Sequence, residues 1–270
     1  MTFHTIKYTF FSIFLSQKKK KRIISKKEKI LNNIMQPVPK VIVFDLDGTL
    51  WNPEMYQLSG GSPFTIPRNN NTNKKGKQND HETNNNNKKE EEPSYDALLD
   101  RSGTAVRLIG ETRQVLTTLL NDPRYAETYV AVSSTCDEPH WAAELLEKFK
   151  LEKINHNNQN KKEWVPMGSL FTDLKEVYYA SKADQHRTIL KKIMKRNEDD
   201  LDWCSEELTE KQKFANFLFF DNQQNNISAV SKIGVACCYC GNGMTEGTFE
   251  RGLEQWRQQY RKAMEGENKM

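Results

Sequence analysis

Three stretches of the 270-residue chain place oxygen-bearing side chains at the end of an apolar run, and together they could handle a phosphoryl group. Asp45-Leu46-Asp47-Gly48-Thr49 ends the first run, Ser133-Ser134-Thr135 the second and Asp221-Asn222 another. Two carboxylates at i and i+2 can reach one site where an extended strand breaks into a tight turn, and Gly48 supplies the backbone freedom for that turn. Carboxylates that close repel unless a cation or a shared proton offsets them. Oxygen ligands with no His or Cys nearby suit Mg²⁺, a hard ion held by few protein groups plus water and substrate phosphate.

For these ends to meet, the runs must be neighbouring strands. Val41 to Leu46, Thr128 to Ser133, Gly168 to Thr172, Asn216 to Phe220 and Gly234 to Tyr239 are apolar runs of strand length. Helical patterns separate them at Glu111 to Leu120, Glu138 to Phe149, Lys182 to Lys195, Asn225 to Lys232 and Thr245 to Arg261. This alternation predicts an α/β fold, a doubly wound, Rossmann-like parallel sheet covered on both faces. A ligand then belongs outside the carboxyl ends of the strands.

The rest of the chain is too polar to be core throughout. Residues 1–34 hold nine Lys or Arg and one Glu, so the overall +4 becomes −4 without them, and a basic nucleic-acid surface is not a property of the folded part. The stretch reads as a disordered basic leader; it lacks the charge order and cleavage site of a secretory signal, and organelle targeting is a weaker reading. Residues 68–92 contain no Val, Ile, Leu, Met or aromatic side chain and read as a disordered insertion, since they cannot bury enough apolar surface to offset ordering. The expected domain is therefore residues 35–262, interrupted by that insertion, with a tail at 263–270. No apolar run approaches a bilayer-spanning length, and five irregularly spaced cysteines point to a reducing, cytoplasmic setting.

DLDGT after an apolar strand, SST, a helix opened by Lys182 and FFDN, in that order, resemble the four motifs of the haloacid dehalogenase superfamily. The strings DLDGTLW, VAVSSTCDEPHWAAELLEKF and GVACCYCGNGM resemble its magnesium-dependent phosphatase-1 branch, from about Val38 to Tyr260. The resemblance implies a haloacid dehalogenase-like core without a separate cap domain and a Mg²⁺-dependent phosphomonoester hydrolase working through an aspartyl-phosphate. Asp45 would be the nucleophile and Asp47 the acid and then the base. Ser134, Thr135 and Lys182 would hold the phosphoryl group. Mg²⁺ would take Asp45, the backbone carbonyl of Asp47 and Asn222, with Asp221 in the outer part of the metal site, orienting Lys182. Implied substrates are phosphotyrosine proteins or small phosphorylated sugars and glycated amines, handled by a monomer with no specific nucleic-acid partner.

The chain departs from the branch in three ways. Asp221-Asn222 stands where two acids are usual, which removes one negative charge from the metal site. Thr135 stands where an Arg fork would grip phosphate, and Gly48 where a Tyr is common. Asn222 and Thr135 motivate an alternative, a catalytically impaired phospho-binding or scaffold protein on the same fold. Ser133 competes with Ser134, because alternation turns one of them into the core; Lys175, Lys191 and Lys192 lie within sequence reach of the place given to Lys182. Cys237, Cys238 and Cys240 point to alternate faces of one strand and read as buried thiols, not a zinc site. Trp51 is expected to pack beneath the segment after the Asp45 turn, and His140 and His186 have no part in the chemistry.

Overall fold

The computed structural model describes residues 36–67, 95–155, 161–196 and 202–267. The expected leader at 1–34 and insertion at 68–92 lie outside the described residues. The chain divides at Val38 and Pro39, and everything below concerns residues 39–270. In chain order the first half holds β1 (Val41–Phe44), β2 (Trp51–Asn52), β3 (Ala97–Leu99), β4 (Ala105–Leu108), α1 (Thr112–Asn121), β5 (Tyr129–Ser134) and α2 (Pro139–Lys148). There follow β6 (Lys150–Asn155), β7 (Lys161–Pro166), β8 (Lys175–Val177), α3 (Lys182–Arg196), α4 (Glu210–Phe214), β9 (Phe217–Asp221), α5 (Gln224–Ser231), β10 (Ala236–Tyr239) and α6 (Glu246–Glu267).

All four residues of β1, VIVF, are fully buried, and so are all five of β9. Only a strand inside a sheet covered on both faces buries successive side chains in this way. The sheet order is β10-β9-β1-β5-β8, with every pair parallel. Chain order runs from β1 outward through β5 to β8, then returns to the other side of β1 for β9 and β10. That reversal beside β1 opens a crevice at the carboxyl ends. Registers Phe44↔Val132 and Phe44↔Phe220 bring Asp45 level with Ser133 and Asp221.

Helices cover both faces. On α3 the buried residues are Lys182, Gln185, His186, Ile189, Leu190 and Ile193, a single stripe at helical spacing. It packs on the Phe217 and Phe219 side of β9, where the His186 ring meets Phe219 edge-on at 4.6 Å. The next residue, Phe220, points to the opposite face, where its ring stacks with Phe44 at 5.3 Å and with Phe249 of α6 at 5.8 Å. The Trp256 indole on α6 donates to the Ala215 carbonyl at 2.9 Å, closing the amino end of that face.

Two parts of the fold differ from the sequence expectation. Gly168 to Thr172 is a turn and not a strand; the edge strand is β8, three residues further on. Met167, Phe171 and Leu174 are the buried residues there, spaced by four and three, which is the period of a helical turn and not of a strand. Between β1 and α1 lies a three-stranded antiparallel sheet, β2-β4-β3, and β6 pairs with β7 as a separate hairpin. The last helix, α6, runs to Glu267. Among the described residues no helix is long and apolar enough to cross a membrane.

Candidate active site

Where β1 ends, the Leu46 carbonyl accepts from the amides of Thr49, Leu50 and Trp51, and the chain turns back on itself. Gly48 sits in this turn at φ +71°, and a Cβ there would lie 2.1 Å from Asn222 Nδ2. A larger residue would have to displace the end of the Asn222 side chain, so glycine here lets the first and fourth motifs approach closely. Thr49, fully buried, ties them further: its hydroxyl donates to Asp45 Oδ2 at 3.2 Å and accepts from the Asn222 amide at 3.1 Å.

Asp45 is 6% exposed, and its Oδ1 accepts from the Lys182 ammonium. The same ammonium donates to the Ser133 carbonyl at 2.5 Å and stands 3.6 Å from Asp221 Oδ2. Lys182 thus joins β1, β5 and β9 from the first turn of α3, whose start is capped by Ser181 and Asp184 through their mutual hydrogen bonds. Lys192 pairs with Glu176 and the Lys175 ammonium donates to the Gly168 carbonyl, so neither of these sequence competitors reaches Asp45.

Asp47 faces the crevice from the turn. Its Oδ1 accepts from the Trp51 indole at 2.6 Å and its Oδ2 from the Met55 amide at 3.1 Å. Burial outweighs those donors and pushes its carboxyl up to about 6. Asp221 is fully buried; Oδ1 accepts from the Gln223 amide at 2.7 Å and Oδ2 from the Asn226 side chain at 3.0 Å. Its pKa is raised, first by burial and then by the Asp45 charge, with Lys182 opposing both.

At the end of β5 the two serines part. The Ser133 hydroxyl donates to Gln185 Oε1 at 2.6 Å, inside the protein. Ser134 is buried as well, and its carbonyl accepts from the Tyr178 amide and from Gln185 Nε2. Thr135 is exposed, and its hydroxyl donates to the Ala180 carbonyl at 3.0 Å. Asp45, Asp47, Lys182, Asp221 and Asn222 therefore meet in one crevice, with Ser134 and Thr135 on the strand end beside it.

Thr49 and Gln185 are given no role in the sequence reading, and Trp51, expected only to pack beneath the segment after the Asp45 turn, also donates to Asp47. Thr49 and Trp51 stand in the quoted DLDGTLW string, which was the available signal; Gln185 had only its place one turn after Lys182. The cluster sets two carboxylates, Asp45 and Asp221, around one ammonium, with a third, Asp47, on the adjoining turn. Asn222 Oδ1 is buried and, among the described residues, has no hydrogen-bond partner. A surplus of carboxylate beside an unsatisfied amide oxygen is the donor chemistry of a hard divalent cation. No group of three or more His, Cys, Asp or Glu side chains among the described residues is placed to hold a metal by itself, so a cation here would need the amide and backbone oxygens.

Two comparisons bear on this crevice. A family model described as Acid Phosphatase matches residues 37–259. The chain is also 28% identical to human Magnesium-dependent phosphatase 1 over 222 residues, which is 82% of this chain and 88% of that protein.

Proposed function

The chain belongs to the acid phosphatase family, and from that premise we propose that it is a Mg²⁺-dependent phosphomonoester hydrolase with Asp45 as nucleophile. The observation that carries the proposal is the buried Lys182 ammonium shared by Asp45, the Ser133 carbonyl and Asp221 at the crevice beside β1. The ammonium and the Thr49 hydroxyl each hold one Asp45 oxygen, which fixes the carboxylate against rotation. An oriented nucleophile lowers the barrier by removing freedom that a free carboxylate would lose on attack.

In the first step an Asp45 oxygen bonds to phosphorus as the ester P–O bond breaks, and Asp47 gives its proton to the departing oxygen. In the second, Asp47 takes a proton from water, the hydroxide oxygen bonds to phosphorus, and the bond to Asp45 breaks to release phosphate. Trp51 and the Met55 amide hold both Asp47 oxygens, keeping the carboxyl aimed across the turn between the two steps. Lys182 and Ser134 donate to phosphoryl oxygens as charge spreads over them. The residues that would hold Mg²⁺ are Asp45, the Asp47 carbonyl and Asn222, and the ion would supply positive charge to offset the negative charge of the reacting groups. Asp221 positions Lys182 from behind.

Phosphotyrosine proteins and small phosphorylated sugars or glycated amines are the proposed substrates. The segments that carry Met55 and Lys182 also carry the exposed Tyr56 and Tyr179. The test is release of phosphate from an aryl phosphate by the full chain, with and without Mg²⁺, against Asp45→Asn. Mg²⁺-dependent release that vanishes in the variant supports the proposal. A folded wild-type protein that binds phosphate and Mg²⁺ but releases nothing overturns it in favour of a phospho-binding protein.

A further inference from the structure

The phosphatase reading leaves one buried polar side chain beside the site without a role. Gln185 is fully buried on α3, one turn beyond Lys182, and makes three hydrogen bonds to two other elements. Its Oε1 accepts from the Ser133 hydroxyl at 2.6 Å; its Nε2 donates to the Ser134 carbonyl at 3.0 Å and to the Tyr178 carbonyl at 2.9 Å. The partners are the last two residues of β5 and the first residue after β8. Both strands stop here, since Ser134↔Val177 is their last register pair.

We propose that Gln185 is a positioning residue for phosphoryl transfer, holding the Ser134 strand end and the Lys182 helix turn in fixed relation. The inference rests on the phosphatase reading. Lys182 and Gln185 grip the same two residues of β5 from one helix turn, Lys182 through the Ser133 carbonyl and Gln185 through the Ser133 hydroxyl and the Ser134 carbonyl. The Ser134 carbonyl is also bound by the Tyr178 amide at 3.2 Å, so the strand end is held from two directions. The amide holds the Ser133 hydroxyl toward α3, and strand alternation turns the Ser134 side chain to the opposite face. A side chain that both accepts once and donates twice while uncharged is what this junction requires. A carboxylate would set two carbonyls against a negative charge, and an aliphatic group would leave the buried Ser133 hydroxyl without its acceptor.

The role predicts a specific pattern in catalysis. Phosphate is held by Ser134 and Lys182, so loosening their relation weakens the grip on the phosphoryl group in the ground state and more so in the transition state. Loss of a group that orients others in a site costs about 10- to 100-fold. For Gln185→Leu and Gln185→Glu we therefore expect kcat/KM for an aryl phosphate to fall by that factor, with kcat reduced and inhibition by inorganic phosphate weakened. Ser133→Ala, which removes the hydroxyl but keeps both carbonyl bonds, should lose less than about tenfold.

Stability and positioning are separated by a matched control. Phe214→Leu, in the fully buried core at the amino end of the sheet and away from the crevice, lowers the melting temperature without touching the site. The experiment measures kcat, KM, the inhibition constant of inorganic phosphate and the melting temperature for the full-length wild type, the two Gln185 variants, Ser133→Ala and Phe214→Leu, below all transitions. The expected result is that Gln185→Leu and Gln185→Glu lose kcat and phosphate inhibition, while Phe214→Leu retains both at an equal or larger drop in melting temperature. If the Gln185 variants keep wild-type kcat and phosphate inhibition and change only in melting temperature, the side chain is structural and the inference is wrong. If wild type itself releases no phosphate, it is the phosphatase reading that fails; inhibition then has no meaning, and direct titration with inorganic phosphate decides whether Gln185 still governs the grip.

Discussion

The two ends of the five-stranded sheet are built from opposite materials. At the amino end the α3 side of the sheet closes over Val41, Leu174, Ile193, Phe214, Phe217 and Val235, all buried and all apolar. At the carboxyl end the buried residues include the polar Asp45, Thr49, Ser133, Ser134, Lys182, Gln185 and Asp221 beside the apolar Leu46, Leu50 and Trp51. Burial of an apolar side chain stabilises a fold, whereas a buried polar group contributes modestly when hydrogen-bonded and costs stability when it is not, and a buried ion pair can cost more than it returns. The amino end therefore holds the domain together, and the carboxyl end spends part of that stability on chemistry. Substitutions at the amino end should change stability with little effect on the rate of the folded protein; at the carboxyl end they should do the reverse.

The largest effect on stability is expected from Phe217→Ala, since Phe217 is fully buried and its ring touches Phe214 at 5.1 Å and Trp203 at 6.2 Å. Truncating such a residue costs about 3–5 kcal/mol. Urea denaturation should show that loss, while turnover per folded molecule stays within about twofold of wild type. A rate that falls with the stability would mean that the two ends are mechanically coupled and that the contrast is false. Asp221→Asn probes the other end: it keeps the shape and removes a buried charge 3.6 Å from Lys182. Activity should drop about 10- to 100-fold, as for other groups that orient a site. Unchanged activity would show that Lys182 is placed without Asp221.

His186 lies on the boundary, its Nδ1 bonded to the Lys182 carbonyl at 2.7 Å and its ring against Phe219. Full burial holds its pKa down to about 3, below the ordinary 6.5, so the native state favours the neutral ring. A lowered folded-state pKa gives stability that is complete above 6.5 and drains away as pH falls from there toward 3, by at most about 1.4 kcal/mol per pH unit. In His186→Gln, which cannot titrate, the acid limb of stability against pH should be flatter over that window. An identical limb would place the acid sensitivity elsewhere.

Most of this division is legible in the sequence, for a physical reason. Strands buried on both faces cannot hide polar residues along their length, so VIVF and NFLFF announce themselves, and the polar residues that end them mark the crevice. The edges follow weaker rules. β8 is a short Lys-Glu-Val strand with one neighbour, and the helical spacing of Met167, Phe171 and Leu174 just before it buries more apolar surface than the strand does. The antiparallel pieces are two to six residues long and mixed in polarity, too short for alternation to rise above their surroundings. Within the site, acids and lysine could be read from motif order. Ser134 over Ser133 is read from the motif string as well, whereas Gln185, a residue type with no chemistry of its own, is visible only through its three bonds.

The central claim is that Asp45 carries the phosphoryl group, and its most direct test is to catch it there. Full-length Asp47→Asn, with Mg²⁺ and a nitrophenyl phosphate, should release nitrophenol once per molecule, because this leaving group departs without the Asp47 proton while water attack lacks its base. Acid quenching and peptide mass analysis should then find one phosphoryl group, on Asp45. A phosphoryl group on any other residue, or a burst of nitrophenol with none attached to the protein, would contradict the account.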